Sequence, residues 1–174
     1  MDDKELWKQI RKGNAKAFDA FYRETAPKLQ AFLRQIVFSP QVAEDITQEV
    51  FTNIWRRPNG FQPERGTLRA YLYGIGRKMA AESWRRHRPE DTAKETEASA
   101  GRTETLLMVG DAFTRLSPDH RILLWLREVE GQSYAELAQS LDIPVGTVRS
   151  RLFSARETLR RIWNSTQEDS KEGA

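Results

Sequence analysis

The stretch from Ser133 to Ile162, SYAELAQSLDIPVGTVRSRLFSARETLRRI, admits very few folds. Ser133 and Glu136 stand at the S-x-x-E spacing of a capping box, in which two side chains satisfy orphan N–H groups at a helix start. A short helix follows with Leu137, Ala138 and Leu141 apolar. Asp142-Ile143-Pro144 ends it, because proline disfavours helical geometry in the residue before it. A longer helix then begins near Val145 to Thr147. Its apolar positions Val148, Leu152, Ala155, Leu159 and Ile162 recur at spacings of 4, 3, 4 and 3, which makes one narrow buried stripe. Arg149, Ser150, Arg151, Phe153 and Arg156 lie off that stripe. A short helix, a tight break and a long helix with basic and hydroxyl residues in its first two turns is the layout of a helix-turn-helix, whose second helix enters the major groove N-terminus first. An ordinary helical hairpin with a solvated basic face is the plainer alternative. The capping box, the break and an aromatic residue outside the seam favour DNA reading.

Several classes of chemistry are excluded. The 174 residues contain no cysteine, so disulfides, thiol catalysis and cysteine-based zinc sites are ruled out. His87 and His120 are the only histidines, and neither has a partner at metal-ligand spacing. No carboxylate cluster or activated nucleophile supports a DNA-processing enzyme. The start, MDDKELWKQIRKG, lacks the apolar core of a signal peptide, and no run approaches the ~18 apolar residues of a membrane span. A soluble, cytoplasmic protein is expected. The net charge is only +3, but residues 1–90 carry 17 Lys/Arg against 11 Asp/Glu, whereas residues 106–174 carry 9 against 10. The positive excess therefore lies in the N-terminal half, where it can meet phosphates.

The N-terminal half reads as helices separated by clear punctuation. Lys4 to Lys12 is a short helix ended by Gly13, and Asn14 can cap the next. That next helix carries Phe18, Phe21 and Tyr22, is broken or kinked at Pro27, and continues through Leu29, Phe32, Leu33 and Ile36. Ser39-Pro40 is a hydroxyl cap followed by proline at the first helical position. From Val42 to Arg57, Ala43, Ile46, Val50 and Ile54 form one stripe, opposite a largely acidic and amide face of Asp45, Gln48, Glu49, Thr52 and Asn53. Such a face is either simply solvated or a docking surface for a basic partner, and spacing does not decide between them.

Pro58-Asn59-Gly60 is a turn, and Phe61 to Gly66 continues as an irregular loop. Phe61 and Arg65 there either hold an unpaired base or, for Phe61, plug the core edge. Thr67 caps a further helix with Leu68, Tyr71, Leu72, Ile75 and Met79 apolar. Around that side stand Arg69, Tyr73, Arg77, Lys78, Trp84, Arg85, Arg86 and Arg88, with Glu82 the one acid among them. Cations interleaved with rings suit a nucleic-acid surface. Residues 91–105 read as a flexible linker, because the segment Pro89 to Gly101 has no aromatic or bulky aliphatic residue. Ser117-Pro118 opens another capped helix, and residues 165–174 read as a polar, frayed tail.

The blocks VAEDITQEVFTNIW, FQPERGTLRAYLYGIGRKMAAESWRR and LSPDHRILLWLREVEGQSYAELAQSLDIPVGTVRSRLFSAR resemble, in order and spacing, bacterial RNA polymerase sigma factors of the extracytoplasmic-function group. The resemblance implies an all-α chain. A sigma-2-like bundle over residues 1–90 and a sigma-4-like helix-turn-helix domain over residues 106–164 are joined by the linker. It implies no catalysis and no cofactor. Asp45, Gln48, Glu49 and Asn53 would dock on the clamp helices of core RNA polymerase. Phe61 and Arg65 would help capture a base flipped from the −10 element, and Arg69, Tyr73, Arg77 and Lys78 would line that strand. Arg149, Ser150, Arg151 and Phe153 would lie in the −35 major groove, with Thr147 near the backbone. The linker would pass through the RNA exit path, and an anti-sigma factor is an expected partner. Two positions depart from the family pattern. Ser154 stands where a basic residue is usual. Gly76 replaces an alanine, at about 1 kcal/mol of helix propensity in an exposed setting, and admits a close backbone approach to DNA. A stand-alone helix-turn-helix regulator is the alternative, which leaves the first 90 residues as a ligand or dimer domain.

Overall fold

The computed structural model describes residues 2–86 and 110–172, with side chains described up to residue 167. The expected linker and Arg88 lie outside the described residues. Helix α1, Asp3–Arg11, buries Trp7 and Ile10. Gly13, at φ 76°, turns the chain, and the Asn14 carboxamide accepts from the N–H groups of Lys16 and Ala17 to start α2, Ala15–Val37. This helix runs through Pro27 without a break, because the ring sits on the exposed side and only one backbone donor is lost. Of the break or kink expected at Pro27, the break is absent. Phe38 closes α2 in the left-handed region at φ 52°.

Helix α3, Pro40–Arg56, starts as its sequence requires, with the Ser39 hydroxyl accepting from the Val42 N–H and Pro40 in the first turn. After a single 3-10 turn at Pro63–Arg65 comes α4, Leu68–Arg86. Its start is capped twice: Thr67 Oγ1 accepts from Ala70 N at 3.1 Å, and Asp3 of α1 accepts from Leu68 N at 2.8 Å. The second bond pins the first helix to the fourth.

Residues 110–114 form the described end of α5. Ser117 caps α6, Pro118–Leu124, which runs into a π-helical turn at Trp125–Val129 and ends at Gly131, φ 64°. Helix α7, Tyr134–Leu141, and helix α8, Val145–Glu172, are the helix-turn-helix. Both arms of the capping box are present: Ser133 N donates to Glu136 Oε2 at 2.8 Å and Glu136 N to Ser133 Oγ at 3.2 Å. The break is made by Asp142 at φ 56°, a left-handed position that an acidic residue tolerates better than a branched one. Helix α8 extends to Glu172, where a frayed tail was expected after Asn164. Its early continuation carries local bonds, since Ser165 and Thr166 both donate to the Ile162 carbonyl. Ser133→Ala removes one cap acceptor, and should lower unfolding stability by about 1 kcal/mol, measured as a shift of the urea midpoint.

Two layers of apolar side chains meet in one continuous core. Leu29, Phe32 and Leu33 of α2 pack with Val50 and Ile54 of α3 and with Leu72 and Tyr73 of α4. Leu123, Leu126, Leu137, Val148 and Leu152 of the C-terminal helices belong to the same cluster. Helix α4 lies between the two halves and is therefore buried on more than one side, with Leu68, Ala70, Leu72, Tyr73, Gly76 and Ala80 all enclosed.

Candidate nucleic-acid interface

The first turns of α8 carry the most exposed large apolar side chain among the described residues. Phe153 is 70% exposed, an unusual state for phenylalanine, which normally contributes to a core. Arg149, Ser150 and Arg151 are exposed beside it, while Val148, Leu152 and Ala155 are buried and fix the rotation of the helix. Thr147 is half-buried, and its carbonyl accepts from the Ser150 hydroxyl at 3.1 Å. The Arg149 guanidinium lies 5.9 Å from the Tyr134 ring centroid, which supports it from α7. Arg156, one turn further on, is held by Glu128 at 2.7 Å. Five predicted positions thus share the start of one helix, with two cations, two hydroxyls and an apolar ring able to meet phosphates and base edges.

Helix α3 presents Asp45, Gln48, Glu49 and Asn53 on one exposed side. Asp45 accepts from Gln41 at 3.2 Å, and no cation of α3 reaches that side before Arg56. Asp45 and Glu49 border a shallow groove against Met79, Glu82 and Arg86 of α4. On the other flank Gln48 and Thr52 adjoin Phe18, Tyr22, Phe51 and Trp55. Tyr22 is 37% and Trp55 39% exposed. These two rings were not singled out from the sequence as surface: Tyr22 stands in one aromatic run with Phe18 and Phe21, and Trp55 directly follows Ile54 of the buried stripe. Their packing reveals them: Phe18 lies 4.8 Å from Trp55 and Tyr22 4.9 Å from Phe51, centroid to centroid.

The loop and α4 differ most from expectation. Phe61 is 4% exposed and sits between Trp7, at 5.3 Å, and Tyr71, at 5.5 Å. It plugs the core edge, so its ring is not offered to a base in this conformation. Tyr73 is 2% exposed and packs edge-on against Phe32 at 5.1 Å. It is a core side chain rather than part of an exposed strand-lining row. Burial pushes its phenol well above the usual range. Arg65 and Lys78 are exposed and free to meet phosphates. Trp84 is 51% exposed, with its indole N–H donating to the Ile36 carbonyl at 3.3 Å. Gly76 faces α2 instead of a ligand: a Cβ there would meet Leu29 Cδ1 at 2.9 Å. The position is enclosed by the packing of α4 on α2.

Arg69 and Arg77 are half-buried and already partnered. Arg69 donates to the Glu130 carbonyl at 3.0 Å and to both Glu136 carboxylate oxygens at 3.2 and 3.3 Å. Arg77 donates to the carbonyls of Ser140 and Leu141, each at 3.4 Å. Burial by itself raises the Glu136 carboxyl. The Ser133 N–H, Arg69 and the neighbouring hydroxyls outweigh it and hold the group below its ordinary value. Among the described residues no three His, Asp or Glu side chains are grouped to hold a metal, and no helix is long and apolar enough to cross a membrane.

An all-helical chain with an exposed, basic start to its helix-turn-helix and a second bundle ahead of it is a DNA-binding protein in its architecture. Residues 21–90 match the sigma-70 region 2 family and residues 106–159 the sigma-70 region 4 family. The RNA polymerase sigma-H factor of Pseudomonas aeruginosa is 31% identical over 177 residues, spanning 90% of this chain and 91% of that protein. A sigma-E factor of the extracytoplasmic-function group from Haemophilus influenzae is 29% identical, over 91% of this chain and 94% of its own length. In fold, the chain is similar to the sigma factor RpoE of Bartonella quintana, solved with the anti-sigma factor NepR. The TM-score is 0.70 at 24% identity, over 86% of this chain and 98% of that one. The chain belongs to the sigma-70 family of RNA polymerase sigma factors, in its extracytoplasmic-function group.

Proposed function

We propose that this sigma factor joins core RNA polymerase through α3 and directs it to promoters read at two places. Asp45, Gln48, Glu49 and Asn53 supply an acidic and amide docking surface for the clamp helices of the largest subunit. Tyr22 and Trp55 add apolar anchors beside it, in keeping with interfaces whose aromatic centre is ringed by polar groups. The first turns of α8 read the −35 element, and the exposure of Phe153 among Arg149, Ser150 and Arg151 carries this assignment. The −10 element is engaged by the N-terminal domain through Arg65, Arg69, Arg77 and Lys78 on the strand's phosphates. Phe61 and Tyr73 support that surface from beneath, and Phe61 reaches a base only if the loop rearranges.

Labour is divided between the two kinds of contact. Lysine and arginine supply salt-dependent affinity, and a few side chains select the sequence. The protein contributes no catalysis of its own; bond formation belongs to the polymerase. It works in the cytoplasm, where its polymerase and promoter are, and it has an anti-sigma factor as partner, which covers its surfaces when transcription is not required; the similar RpoE of Bartonella quintana was solved in complex with one, NepR. Transcription with purified core polymerase on a library of promoters tests the assignment. A defined promoter class appearing only when the chain is added supports it. Specific duplex binding without core, and no effect on core, favours a stand-alone regulator instead.

A further inference from the structure

The loop after α3 is a wall between two grooves, and Phe61 and Gln62 line both of them. On one side Arg65 and Lys78 border the surface assigned above to the −10 strand. On the other side the loop stands opposite α1, and the groove between them is lined by Lys4, Lys8, Arg11 and Lys12. These positions recur at spacings of 4, 3 and 1, so one face of α1 carries all four cations. Trp7 and Ile10 turn a different face into the core and fix the rotation of the helix. All four cations are exposed, and Glu64 is the one acid on the groove wall.

The needs of α1 itself do not explain this pattern. Lys8 and Arg11 in the last turn complement the helix dipole, but Lys4 stands in the first turn, where a cation opposes it. Lys8 lies 3.7 Å from Glu5 in an exposed pair, and such pairs contribute little. Lys4, Arg11 and Lys12 form no ion pair among the described residues. Asp3, the acid next to Lys4, is committed to the Leu68 N–H at 2.8 Å. Trp7 also lines the groove. It is 2% exposed, and its indole N–H has no hydrogen-bond partner among the described residues. Unpaired buried donors are few in folded proteins, and this one borders the cations.

We propose that the cationic face of α1 binds the phosphates of unpaired DNA, and that it takes the strand as it crosses the loop from the −10 surface. The inference rests on the assignment of Arg65 and Lys78 to that strand made above. A groove with cations along one side and aromatic side chains in its wall suits a single sugar–phosphate backbone. Duplex readers instead present a protruding helix to the major groove, as α8 does. Continuity comes from the shared wall: a strand that passes over Phe61 and Gln62 leaves one groove and enters the other. The α1 site needs no rearrangement of the loop, since its four cations are exposed as they stand. Helix α1 thereby adds salt-dependent affinity beyond the bases that the loop and α4 engage.

Two charge-matched variants test this. Lys4→Gln, Lys8→Gln and Lys12→Gln together neutralise the groove and keep good helix formers. Lys28→Gln, Arg34→Gln and Arg160→Gln remove the same charge from exposed positions outside it. The probe is a fluorescent oligo(dT) of about 12 nucleotides, titrated against the full chain between about 50 and 200 mM salt, with circular dichroism confirming the helices. Each lost phosphate contact flattens the logarithmic salt dependence by about 0.7 for a single strand, so the groove variant should bind at least ~5-fold more weakly at the lower salt, with a slope shallower by about 2. The control variant should stay within about 2-fold of the wild-type chain, because its charges touch no phosphate. Equal losses in the two variants overturn the proposal, as does a wild-type chain that does not bind the probe at the lower salt. A groove variant that keeps its affinity for the probe and loses it only for a polyglutamate peptide also overturns it, and marks an acidic protein as the occupant. If the groove variant is impaired while Arg65→Gln with Lys78→Gln binds like wild type, the α1 site stands and the −10 assignment of those two residues falls.

Discussion

Reversing Asp45 and Glu49 together to lysine is expected to weaken binding to core RNA polymerase by at least ~100-fold and to abolish promoter-directed transcription at ordinary concentrations. Both carboxylates are exposed on α3, and among the described residues neither is paired with a cation. Their charge is therefore available to a partner. Placing like charges across an interface costs several kcal/mol, and each 1.4 kcal/mol is about tenfold in affinity. The same exposure predicts that the fold tolerates the change, since surface substitutions away from special features usually stay within about 0.5 kcal/mol. A titration of labelled protein with core polymerase, beside a thermal melt, separates the two effects. Unchanged core affinity in a folded double variant means that the docking surface lies elsewhere.

Phe32→Ala should have the largest effect on stability. Phe32 is fully buried in the C-terminal part of α2 and lies edge-on to Tyr73, with ring centroids 5.1 Å apart. Removing it loses the transfer free energy of the ring, leaves a cavity and ends the aromatic contact, together about 3–5 kcal/mol. Domains of this size are stable by only about 5–15 kcal/mol, so the variant is near the limit of folding. Because the core is continuous through α4, both halves should lose stability in one transition by chemical denaturation. Two well-separated transitions, with only the N-terminal one shifted, would show instead that the domains unfold independently.

How much of this was visible in the amino-acid order depends on whether the deciding contact is local. Caps at Asn14, Ser39, Ser117 and Ser133 were legible because a side chain bonds to its own helix start. The helix-turn-helix was legible for the same reason: its stripe of Val148, Leu152 and Ala155 needs only one buried side. Helix α4 was not, because it is covered from two directions. Periodicity there placed Tyr73 among the cations, and the departure from the family pattern set Gly76 beside DNA, whereas tertiary packing puts Tyr73 on Phe32 and Gly76 on Leu29. Phe61 had an undecided role until Trp7, more than fifty positions earlier, was found against it. Arg69 and Arg77 looked free for DNA because their partners, Glu136 and the end of α7, come from the other domain. At Pro27 the sequence left a break or a kink open, and the break does not occur, because one missing donor on an exposed side does not end a helix that is well packed on the other.

The most direct test of two-point promoter reading is transcription by core polymerase on a library with −35 and −10 bases randomised, comparing the wild-type chain with Arg149→Ala and Ser150→Ala. Loss of a base contact on α8 should relax preference at one or two −35 positions, by about 1–3 kcal/mol each, and leave the −10 preference intact. An equal loss of activity on every promoter, or a change confined to −10, would contradict the assignment of α8 to the −35 element.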